Sequence, residues 1–79
     1  MIKVIQNTYG DVFMVNSMVS DTVLKNLIEK ILKQKKLPFQ DVYVSLPLMI
    51  CQKFLNLSSD QNLNYKGMEL KKNTMMIKF

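Results

Sequence analysis

The chain of 79 residues has no histidine, arginine, tryptophan or alanine. Without histidine it lacks the usual general base near neutral pH and the commonest metal ligand. Without arginine, its net charge of +5 rests on lysine alone. The planar fork that reads guanine or grips phosphate at two points is therefore missing. A single cysteine, Cys51, allows no internal disulfide and fits a reducing compartment. Two glycines, Gly10 and Gly67, cannot build a glycine-rich phosphate loop. No apolar run is long enough to span a bilayer, and the start, MIKVIQNTYG, has neither the apolar core nor the cleavage site of a signal peptide. These absences lead us to expect a cytoplasmic protein with no membrane contact. Abundant lysine and asparagine in place of arginine and alanine fit an A/T-rich genome and say nothing about activity.

What is present supports a folded core, since 48% of the residues are hydrophobic. The clearest element is Ser20–Lys36. Leu24, Leu27, Ile28, Ile31 and Leu32 recur at helical spacing, with Lys25, Asn26, Glu29, Lys30 and Lys33 opposite. Ser20 is a suitable N-cap, Asp21 complements the positive end of the helix dipole, and Leu37-Pro38 ends the helix.

The flanks read as strands. Met1–Thr8 and Asp11–Val15 form an expected hairpin around the turn-forming Asn7–Asp11 cluster. Asp41–Ser45 carries Val42 and Val44 on one face and Tyr43 on the other. Pro47 suits a helix start, and Leu48–Leu57 is read as a second helix in preference to a buried strand. Ser58–Asn62 is an expected polar loop. Leu63–Leu70 alternates loosely as a strand, with Leu63 and Tyr65 on one face, Met68 and Leu70 on the other, and a bulge at Gly67. Thr74–Phe79 makes the last strand, with Met75, Ile77 and Phe79 inward. The expectation is a single α+β domain in ββαβαββ order, a mostly antiparallel sheet with its helices packed on one face.

No catalytic, cofactor or metal site is expected. The carboxylates Asp11, Asp21, Glu29, Asp41, Asp60 and Glu69 form no pair at helical i,i+3 or i,i+4 spacing, and Cys51 reads as a small buried apolar residue. The lysines are a second candidate. Lys33, Lys35 and Lys36 lie at a helix end and Lys71 and Lys72 in a hairpin turn; brought to one side, the five would form a patch for nucleic acid or an acidic partner. The same lysines also serve ordinary ends, complementing a helix C-terminus and protecting turns and edges. The third candidate is the strand pattern. Met75-Met76, Phe13-Met14 and Val42-Tyr43 put apolar groups on both faces of several strands. A sheet of this kind expects something to cover its second face, either a partner protein or a second copy. Tyr43, Tyr65, Met75 and Met76 are the expected contact residues, and self-association would use Tyr43, Met75 or the edge of the last strand.

The segment Val42–Phe79, VYVSLPLMICQKFLNLSSDQNLNYKGMELKKNTMMIKF, resembles small accessory proteins of bacteriophages and mobile elements of low-GC bacteria. In that pattern a short strand feeds a helix, and a Tyr-Lys-Gly segment with alternating apolar residues follows. The resemblance implies a non-enzymatic inhibitor of a host or defence enzyme, of anti-CRISPR or similar anti-defence type, acting in the host cytoplasm. It transfers no functional residue. A small basic nucleic-acid-binding module and a subunit of an oligomeric assembly are the alternatives.

Overall fold

The computed structural model describes the backbone of residues 2–7, 10–15, 19–36 and 41–79, and the side chains of residues 12–15, 19–36 and 41–79. The elements follow the expected order: β1 (Ile2–Asn7), β2 (Gly10–Val15), α1 (Asp21–Gln34), β3 (Asp41–Pro47), α2 (Leu48–Asp60), β4 (Gly67–Lys71) and β5 (Thr74–Lys78). The strands form one sheet in the order β1-β2-β3-β5-β4. β1 and β2 pair antiparallel, as do β3 with β5 and β4 with β5; β2 and β3 pair parallel. A parallel pair needs a crossover, and α1 supplies it. The expected turn residues Thr8 and Tyr9 lie outside the described residues, as do Leu37 and Pro38.

α1 begins as its sequence predicts. The Ser20 hydroxyl accepts from the Val23 N–H at 3.3 Å, and Leu24, Leu27, Ile28 and Ile31 are fully buried. These four meet Phe13 and Val15 of β2, Val42, Val44 and Leu46 of β3, Cys51 and Phe54 of α2, and Ile77 and Phe79 at the end of β5 in one core. The Phe54 and Phe79 rings meet edge to face at 6.0 Å, a favoured arrangement. Both helices thus pack on the same face of the sheet.

Two boundaries differ from expectation. α2 does not stop at Leu57 but continues through the polar stretch to Asp60. Ser58 is buried there at no polar cost, because its hydroxyl donates to the Phe54 carbonyl one turn back at 2.8 Å. The helix ends where Asn62 turns left-handed, with φ 61°. The Leu63 N–H then donates to the Ser58 carbonyl at 2.9 Å and the Asn62 N–H to the Ser59 carbonyl at 3.0 Å. This is a Schellman closure, with Leu63 as its buried apolar contact. Four polar residues in a row look like a loop, but the apolar residue that follows them fixes the helix end. The second difference follows from the first. With Leu63 spent on the cap, the next strand starts at Gly67 and contains no bulge.

The β4–β5 hairpin turns through Lys72 and Asn73. Lys72 takes φ 53°, a region where a Cβ is strained by about 1 kcal/mol and glycine is not. Lys72→Gly is therefore expected to stabilise the domain by roughly 0.5–1 kcal/mol in urea unfolding. A loss of stability would mean that the lysine side chain, and not the turn, matters at this position.

Candidate partner-binding face

Paired residues in a ladder point to the same side, so the register sorts every described strand residue. Phe13 pairs with Val44, Val44 with Ile77, and Ile77 with Met68; this row faces the helices. The alternate row runs from Val12 to Tyr43, from Tyr43 to Lys78, and from Lys78 to Gly67. A third row, on the same side as the second, joins Met14, Ser45, Met76 and Glu69. Neither helix reaches this side. Among the described residues nothing covers it: Met14 is exposed, and Val12, Tyr43, Ser45 and Met76 are half-buried.

A shallow groove of about 200 Å³ lies on this open face, lined by Tyr43, Gly67, Met68, Glu69, Met76 and Lys78. Gly67 forms part of its floor. A Cβ built there meets nothing within 4 Å, and its backbone angle is not one reserved for glycine. The residue is therefore small without any demand from the fold.

The structure unites some of the expected contact residues and separates others. Tyr43 and Met76 meet in the groove. Met75 faces the helices and packs against the core. Tyr65 is 49% exposed in the segment before β4 and does not line the groove. The last strand has no free edge, because β5 lies between β3 and β4; the edges of the sheet are β1 and β4. Self-association through the edge of β5 is excluded by that order.

The five-lysine patch does not form. Lys71 and Lys72 sit at the start of β5, whereas the C-terminal end of α1 lies at its finish, where the Lys35 ammonium donates to the Phe79 carbonyl at 3.0 Å. Six strand residues at about 3.3 Å each put the two ends roughly 20 Å apart. Lys33 and Lys36 are exposed near Lys35, but Lys71 and Lys72 are not their neighbours. Another cluster forms instead. Asp41 pairs with Lys66 at 3.7 Å and with Lys78 at 3.5 Å, and Lys35 lies against Lys66. Partial burial, and then the adjoining Lys66, push the Lys35 ammonium below the ordinary lysine pKa. Lys66 and Lys78 read in the sequence only as strand lysines outside the patch, because the sheet order is what brings them to Asp41.

Further exposed apolar residues were also not legible. Leu48 and Met49, in the first turn of α2, are 50% and 91% exposed, and Leu70 on β4 is 59% exposed. The run of Leu48, Met49, Ile50 and Cys51 carries the signal, since four consecutive helical residues cannot all face one core. Cys51 itself is buried, and burial raises its thiol pKa, which suits a packing residue and not a nucleophile.

No helix among the described residues is long and apolar enough to cross a membrane, and no three of their His, Cys, Asp or Glu side chains gather as a metal site. No protein-family model, no curated protein and no solved structure matches the chain.

Asp41 is the only acid in contact with Lys66 and Lys78 among the described ion pairs. Asp41→Asn is expected to cost under about 1 kcal/mol at low salt, and added salt should recover most of it, because these groups are partly exposed. Unfolding curves at two ionic strengths measure this. A loss that salt leaves untouched would assign Asp41 a hydrogen-bonding role at the start of β3.

Proposed function

We propose that the chain is a non-enzymatic protein-binding protein whose partner docks on the open face of the sheet. One observation carries this reading: Val12, Met14, Tyr43 and Met76 form an apolar band across β2, β3 and β5 that no described element covers. A sheet face needs polar side chains to stand in water, and alternation along a strand offers a place for them. Here that place is occupied by valine, methionine and tyrosine. Methionine suits such a surface, because its unbranched thioether adapts to the shape of what it meets.

The concrete form of the proposal is an inhibitor of a host or defence enzyme, of anti-CRISPR or similar anti-defence type, acting in the cytoplasm of the host. The resemblance of Val42–Phe79 to small phage and mobile-element proteins supports that form. A nucleic-acid-binding role draws less support. Lys71 and Lys72 are remote from the lysines at the end of α1, and Asp41 and Glu69 break the positive surface between them.

Met76 faces Glu69 across the β4–β5 ladder, so a lysine at this position has a carboxylate opposite it and the fold should tolerate the change. The tagged chain, incubated with extract from a candidate host, is expected to retain a stoichiometric protein that Met76→Lys releases. A paired Leu48→Lys, Met49→Lys variant is expected to keep that protein. The reverse pattern would move the binding surface to the first turn of α2 and contradict the proposal.

A further inference from the structure

We infer that the groove and the lysine cluster at its end form one receptor for an acidic segment of the partner: a large apolar side chain seats between Tyr43 and Met76, and a carboxylate beside it reaches Lys66 and Lys78. The inference rests on the protein-binding reading and names the chemistry that this face would recognise.

Three observations carry it. The first is an unbalanced charge. Lys35, Lys66 and Lys78 gather about one side-chain carboxylate, Asp41, three ammonium groups to one acidic side chain. Lys35 and Lys66 are both pure donors, and they lie side by side. Their described acceptors are the Phe79 carbonyl and Asp41. A second carboxylate would give these ammonium groups a further acceptor and form charge-assisted bonds to them.

The second is size. At about 200 Å³, the groove is smaller than the roughly 300–1,000 Å³ of ordinary small-molecule sites. It suits a single side chain of a larger partner. Glycine weakens a strand unless another group approaches it closely, and above Gly67 there is open space. That space is where the apolar side chain would rest.

The third is polarity along the groove. Lys78 pairs with Gly67 at one end and Met76 with Glu69 at the other, two residues or about 7 Å apart. The face is therefore positive where Lys78 stands, and one row away Met76 and Glu69 lie side by side. An extended segment with its acid on one side of the apolar residue matches this order. A nucleic-acid strand, with a phosphate on every nucleotide, would bring a negative charge against Glu69, and the face has no arginine to offset it.

The probe is a library of randomised twelve-residue peptides, selected against the intact chain and followed by anisotropy titration of the consensus peptide. The expected consensus is a large apolar residue with aspartate or glutamate within two or three positions on one side. Its affinity should fall at least tenfold when the acid is replaced by its amide. It should fall as much in a Lys66→Gln, Lys78→Gln double variant and in Gly67→Val, each checked for folding by circular dichroism. Gly67→Val adds bulk at a position where a Cβ meets nothing within 4 Å and favours the strand, so lost binding in a folded protein would report on the groove itself. Failure to select any binder, a consensus without acids, or peptides indifferent to Gly67→Val would overturn the inference. So would tighter binding of a twenty-nucleotide oligothymidylate that Gly67→Val leaves intact, which would assign the cluster to nucleic acid. The Met76→Lys capture experiment is independent: a protein held by the open face without acidic selectivity would sustain the broader proposal and remove this one.

Discussion

Val42, Val44 and Leu46 turn one side of β3 into the core, each with no exposure to solvent, and the rest of the structure depends on that commitment. β3 lies at the centre of the sheet, between β2 and β5. Its buried side meets both helices, so the period of two along a strand fixes what the opposite side presents. Tyr43 and Ser45 stand there, and the ladders bring Val12, Met14, Met76 and Lys78 beside them. The open face is thus a direct consequence of how the core is built. The two helices cover one face of the sheet, and among the described residues no third element covers the other.

Much of this was legible in residues alone, for a definite reason. α1 announces itself through five apolar residues at helical spacing and a serine cap, both local signals. The sidedness of Met75 and Met76 was equally legible, because adjacent strand residues must face opposite ways. The positions that misled were those decided by tertiary structure. Ser58–Asp60 looked like a loop, and only the burial of Leu63 and the left-handed Asn62 show that the helix runs on through it. The lysines were grouped by nearness in sequence, whereas the direction of β5 sets Lys71 and Lys72 at one end and delivers Lys66 and Lys78 to Asp41 at the other. A strand order is a long-range property, and no local pattern encodes it.

The same geometry gives the proposed function its physical content. An apolar band by itself is only adhesive. Here a lysine cluster lies at one end and Glu69 stands beside Met76, which supplies direction, and the bare backbone of Gly67 supplies room. Apolar contact provides affinity and the flanking charges provide orientation, the usual division of labour at protein interfaces. Leu48 and Met49 at the start of α2, and Leu70 on β4, are exposed apolar residues outside this band.

The central claim is that the open sheet face stays free in the isolated chain and is reserved for a foreign protein. Light scattering behind size-exclusion chromatography, at low and high salt and over a wide range of concentration, tests it most directly. The account predicts the mass of a single chain under all these conditions, free of bound nucleic acid by its absorbance ratio. A salt-insensitive dimer that Met76→Lys converts to monomer would contradict it, because a second copy would then already occupy the face.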